Sequence, residues 1–190
     1  MAGILRVDQA NVDVIYAKTA GGITYIPGHI IQVVNTYLNT PFSQSVSGSF
    51  ATYNDISGLA ATITPKSINS KIYITVRWFG EYSSTDQAYN SMFGLKRNSS
   101  VIGLTGVANL YGLHQPSISY TFTDVDSTPE NCFFDYYDSP ASISTLTYQV
   151  YICVQTSQTL YTNRVVGASS ASSPTYERGT SSITLMEIAG

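Results

Sequence analysis

The stretch Lys71 to Tyr82, KIYITVRWFGEY, constrains this chain more than any other. Ile72, Ile74, Val76 and Trp78 fall on one side of an extended backbone, and Tyr73, Thr75, Arg77, Phe79 and Glu81 on the other. That period of two predicts a long β-strand with one face in a core. The single Trp lies on the inward side. The outward side carries Tyr73 and Phe79 as well as polar residues, so a second cover is expected over it besides the strand's own sandwich partner.

Thr147 to Gln155 mirrors this strand, with Tyr148, Val150, Ile152 and Val154 inward and Gln149, Tyr151 and Gln155 outward. Further strands are expected over His29 to Tyr37, Ser49 to Ile56, Leu59 to Thr64, Ser91 to Arg97, Val101 to Leu104, Ser117 to Thr123, Cys132 to Tyr137 and Ser182 to Ile188. His29 to Tyr37 is apolar on both faces and is expected to be central. Asn39 to Gly48 reads as a turn-rich connection and Asp124 to Asn131 as an acidic loop. No segment keeps a helical period. Short strands separated by turn signals imply an all-β fold, an antiparallel β-sandwich. The unequal connections favour a jelly-roll-like arrangement.

Met1 to Pro27 reads differently. Its apolar patches are short: Ile4, Leu5 and Val7; Val12, Val14, Ile15 and Tyr16; Ile23, Tyr25 and Ile26. None can build a core alone. One reading is an extended arm, residues 1–27, that docks on another surface or sheet edge, ahead of a sandwich domain over residues 28–190. The other is a first hairpin of the domain, turning at Gly21-Gly22.

Composition narrows the role. Charged residues make up 11% of the chain, against about 25% in ordinary soluble domains. Such a surface suits a protein packed against copies or partners. A net charge of −3 with no basic stripe argues against a nucleic-acid partner. No apolar run approaches the roughly 18 residues of a membrane-spanning helix, and Met1 to Val14 has no leader pattern. Cys132 and Cys153 are expected to be reduced and buried.

Catalytic signals are sparse. His29 and His114 stand alone, and no nucleophile elbow is present. Asp124 to Glu130 resembles half a calcium loop but lacks the turn Gly and the late Glu, so a solvated loop is the better reading. Asp135 and Asp138 flank aromatics and could act on or hold sugar; carboxylates that end a strand are commoner. No enzyme, cofactor or metal site is therefore expected. The outward aromatics Tyr73, Phe79 and Tyr151 are expected at subunit contacts, ahead of a glycan platform.

PGHIIQVVNTYLNT, GLAATITPKSINSKIYITVRW, FGLKRNSSVIG, YYDSPASISTLTYQVYI and SSITLMEIAG follow one another in an order that resembles tailed-bacteriophage virion proteins. These are the tail-fibre-like, head-fibre and capsid-decorating proteins of marine and cyanobacterial phages. ILRVDQANVDVIYAKTAGG is similar to the N-terminal attachment segment of that group. The resemblance implies a homotrimeric all-β module on the virion, assembled in the host cytoplasm and fixed through its N-terminus to the major capsid or another virion protein. On that reading Ile4, Leu5, Val7, Val12, Val14, Tyr16, Ile23 and Tyr25 carry attachment. The chain has no repetitive shaft, which favours a capsid decoration, cement or short head-spike protein. The alternative is a receptor-binding tail protein that recognises host glycan.

Overall fold

A computed structural model describes residues 26–83, 90–104, 108–117, 127–168 and 176–190. The described residues form ten strands and no helix: β1 (Ile30–Leu38), β2 (Phe42–Val46), β3 (Ser49–Ile63), β4 (Lys71–Tyr82), β5 (Ser91–Arg97), β6 (Ser100–Ile102), β7 (Glu130–Asp138), β8 (Leu146–Val154), β9 (Gln158–Thr162) and β10 (Ser181–Ile188). All named pairings are antiparallel. The expected turn-rich segment and the connection before the last strand each contain a short strand, β2 and β9, and these pair with each other. Their patterns, FSQSV and QTLYT, are too short and polar to read as strands from sequence.

The pairings are nested. β1 lies on β10, β2 on β9, β3 on β8, β4 on β7 and β5 on β6. The chain is thus one two-stranded ribbon, folded back on itself at Asn98-Ser99. Three further ladders close the roll: β10 to β4, β9 to β4 and β8 to β5. One sheet then holds β1, β10, β4 and β7 side by side, with the β2–β9 pair joined to the far end of β4; the other holds β3, β8, β5 and β6. This is the strand order of a jelly roll, in which a rolled ribbon gives two facing sheets. β1 lies at the edge of its sheet, where a central position was expected. Its apolar outer face is therefore not explained by flanking strands.

The core lies between the sheets. Ile72, Ile74, Val76 and Trp78 of β4 are buried as the period predicted, against Phe93, Leu95, Tyr148, Val150, Ile152, Ile183 and Leu185. Trp78 is fully buried, 5.0 Å from the Phe93 ring, and its indole Nε1 donates to Thr162 Oγ1 at 3.1 Å. That bond satisfies the only polar atom of the indole, so the ring's large apolar area stabilises the fold without an unmet donor.

β3 is one strand where two were expected, because its pairing with β8 breaks register between Ser49 and Asn54 and again between Asp55 and Ala60. Side chains replace the missing ladder bonds. Gln44 donates to the Asp55 carbonyl and accepts from the Ser57 amide, and Gln149 Nε2 donates to the carbonyls of Ile56 and Leu59. Ile56 and Leu59 reach the core from this bulged segment.

The ribbon gives the molecule two unlike ends. Short connections at 64–70, 98–99 and 139–145 share one end with both ends of the described chain. There Gly28 N donates to Ala189 O at 2.8 Å and Ala189 N to His29 O at 2.8 Å. Gly28 thus already belongs to the sandwich, and its φ of +86° turns the chain into β1. The described parts of the longer connections, 39–48, 108–117, 127–129, 155–168 and 176–180, belong to the opposite end.

Candidate functional site

Large apolar side chains more than half exposed fall into two groups. Ile26, Ile30, Ile68 and Ile143 fall by topology at the end where the described chain begins: Ile26 and Ile30 flank the start of β1, Ile68 sits in the 64–70 turn and Ile143 in the 139–145 turn. Val33, Tyr37, Phe133 and Tyr137 lie on the outer face of the β1–β10–β4–β7 sheet. Isolated exposed apolar residues are ordinary, but a contiguous set on one surface marks an interaction site.

Register fixes the second group. One row across the sheet reads Val33, Met186, Tyr73, Tyr137; the next reads Asn35, Thr184, Thr75, Asp135; the third reads Tyr37, Ser182, Arg77, Phe133. Phe79 follows on β4, opposite Asn131. The Tyr73 and Tyr137 rings are 6.5 Å apart. Of the expected contact residues, Tyr73 and Phe79 therefore share this face, both half-buried. Gly179 lies directly against the Phe79 ring, so the 176–180 segment covers part of it.

Tyr151 does not join them. It is on β8 in the other sheet and fully buried by its own chain. Its ring packs edge-on against Tyr53 at 4.9 Å, its hydroxyl donates to Tyr111 O at 3.1 Å, and Gly94 leaves room beneath it. The expectation of a subunit contact at Tyr151 is corrected by this intramolecular cover. On the same outer face, Asp55, Lys96, Asn98, Ser99, Thr147 and Gln149 line a cleft of about 420 Å³. Lys96 Nζ bonds Asp55 Oδ1 at 2.5 Å, Asn98 Oδ1 accepts from the Thr147 amide, and Gln149 is held by the β3 bulge. The cleft's polar groups are largely satisfied internally, and no aromatic ring lines it.

The carboxylates are mostly structural. Glu81, expected to face outward, is 1% exposed and ties two long connections to β4: it accepts from the Thr128 amide and hydroxyl at 2.8 and 2.6 Å, and from the Val166 amide. Glu187 is fully buried and accepts from Lys66 N, Ser70 Oγ and Gln32 Nε2. Asp135 and Asp138 do not form a pair. Asp135, opposite Thr75, is exposed; Asp138, opposite Ile72, is buried, bonded by Arg97 at 2.7 Å and by the Tyr148 hydroxyl at 2.6 Å.

Glu130 falls in the stretch expected to be a solvated acidic loop. It instead opens β7 and is 4% exposed, with Oε2 lacking any hydrogen-bond partner. Burial, and secondarily the charge of Glu81, push its carboxyl up to about 9, so it is neutral at pH 7. No sequence pattern marks this, since a Pro-Glu after an acidic stretch looks like surface.

The remaining candidates are dispersed. His29 and His114 are exposed; His114 stacks on Phe134. Cys132 and Cys153 are buried free thiols, both raised by burial, Cys153 to about 11. Among the described residues no group of three or more His, Cys, Asp or Glu could hold a metal ion, and no helix is long and apolar enough to cross a membrane. Asp124 and Asp126 lie outside the described residues, as do Ile4, Leu5, Val7, Val12, Val14, Tyr16, Ile23 and Tyr25 and most of the expected strand from Ser117 to Thr123. No known protein family matches the chain, and neither does any curated protein.

Proposed function

We propose that the chain is a structural virion protein without enzymatic activity: a capsid decoration, cement or short head-spike protein, fixed to the particle through its N-terminal arm and working as an assembly of copies. The observation that supports this best is the gathering of Ile26, Ile30, Ile68 and Ile143 at the end where the arm enters, opposite the long connections. A monomer in water gains nothing from exposing four isoleucines at one end. Seated on a capsid or other virion protein, each would contribute about 1.5–3 kcal/mol through burial. The arm's own short apolar patches would dock in the same direction, and the long connections would face outward. The resemblance to phage virion proteins points the same way. Recognition of host glycan is the second reading; the cleft beside Lys96 would be its site, and the lack of an aromatic ring there for a sugar to stack on places it second.

Particles lacking the protein, mixed with purified chain, test this. Deletion of residues 1–25 should leave the sandwich folded by circular dichroism and abolish binding. The double substitution Ile68→Ser with Ile143→Ser should weaken binding by about 100-fold, from roughly 3 kcal/mol of lost burial. Wild-type binding by both proteins would refute the reading.

A further inference from the structure

The outer face of the β1–β10–β4–β7 sheet is separate from the arm end, and the charges on it decide what can cover it. Arg77 and Asp135 are exposed, and neither forms an ion pair among the described residues. They sit diagonally on neighbouring strands, since Arg77 pairs in register with Phe133 and Thr75 with Asp135. Side chains so placed can usually reach one another. Here the guanidinium is turned away: its Nη2 donates to Thr180 Oγ1 at 2.9 Å, on the β10 side of β4, while Asp135 projects from β7 on the other.

We propose that this face is a two-fold interface between two copies of this chain, in which Arg77 of each copy meets Asp135 of the other. A closed two-fold contact uses one patch twice, so residue i meets j and j meets i. One face carrying a separated cation and anion, set among aromatics, meets that requirement. On the lattice of strand spacings, about 4.8 Å by about 3.3 Å per residue, the two-fold that seats Arg77 over Asp135 brings Phe133 against the second copy's Phe133. It also brings Tyr137 over the Ser182–Tyr37 row. Four strands of about eight residues give a footprint of ~500 Å² in projection, and more as accessible surface. That approaches the ~800 Å² per partner of a standard interface. Tyr, Phe, Met and Arg on the face are the residue types enriched in interface cores. A trimer, which the resemblance implied, uses two different patches and would not need this self-complementarity.

The inference rests only on the self-association part of the proposed function. Mass in solution is measured without particles, so either can fail without the other. Sedimentation velocity over a dilution series should give a species of twice 20.6 kDa. Arg77→Glu and Asp135→Arg, each alone, set like charges against each other twice and should weaken dimerisation at least tenfold. Mixed one to one, the two variants restore both opposite-charge contacts and should dimerise as wild type does. Phe133→Ser is a second, uncharged probe and should also give monomer with an unchanged circular dichroism spectrum. A wild-type monomer or trimer, single variants that dimerise normally, or a mixture that stays monomeric would overturn the proposal.

Discussion

Replacing Glu130 by Gln should remove much of the protein's loss of stability between mildly acidic and alkaline pH. The carboxyl opens β7 at 4% exposure with one oxygen unpartnered, and its pKa rises from the ordinary 4.5 to about 9, first through burial and then through Glu81. The folded state therefore keeps a proton that the unfolded chain releases above 4.5. Where the native state binds more protons, stability falls as pH rises. The fall starts near pH 4.5, continues to about 9 and then levels. Each tenfold change in proton affinity is about 1.4 kcal/mol, so the ceiling is ~6 kcal/mol over the whole window and ~3 kcal/mol by pH 7. For a chain of this size, ~3 kcal/mol corresponds to roughly 6–12 °C in melting temperature. The assay is the melting temperature of both proteins at intervals from pH 4.5 to 9. The Gln amide carries its own burial cost, so the absolute difference at one pH decides nothing. The slope does, because Gln does not titrate. Parallel curves for wild type and Glu130→Gln would refute the reasoning.

Gly94→Ala would place a Cβ 2.3 Å from Tyr151 Oη and 2.4 Å from its Cζ, so it should destabilise by about 1–3 kcal/mol in denaturant titration. Tyr151→Phe, which removes the nearer atom, should recover part of that loss in the double variant. Cys132 and Cys153 should resist a thiol reagent in the native protein and react fully once it is unfolded, since burial raises both thiols. Asp138→Asn should lower stability by several kcal/mol at most, ~3–5 for a fully buried pair, less here because Arg97 is 30% exposed; melting curves would show it.

The long strands were legible in sequence because each has one face in the core. β4 runs from Lys71 to Tyr82 as its pattern predicts, and β5, β8 and β10 fall within a residue of expectation. Period-two reading says which side of a strand a residue is on, but not what returns to cover that side. Glu81 and Tyr151 are both outward by alternation and both buried, under Thr128 and Val166 in one case and under Tyr53 and Tyr111 in the other. The same limit hid Glu130. It also made β1 look central, because the apolar outer side of an edge strand and the second buried side of a central one read alike. Of the candidate surfaces, Tyr73 and Phe79 were visible in the pattern. Ile68 and Ile143 were not, since single isoleucines in turns carry no periodic signal until topology brings the turns to one end.

The doubled-back ribbon also sets an order on how the fold can form. Arg97 and Ser100 meet across a turn of two residues, whereas Ile30 and Ile188 are the most distant strand-ladder partners among the described residues. Closing a loop costs more entropy the longer it is, and every rung formed near Asn98-Ser99 shortens the loop left for the next. Formation by zippering from that tip avoids the largest closure until most of the ladder is in place. Folding dominated by such distant pairings is slow, and the first rungs to open should be the last to close, those of β1 and β10. Those rungs lie beside Ile26 and Ile30, where the described chain begins. The part of the molecule least secured by its own sequence order is thus the part that docking would hold shut, so binding at that end would retard unfolding of the entire roll.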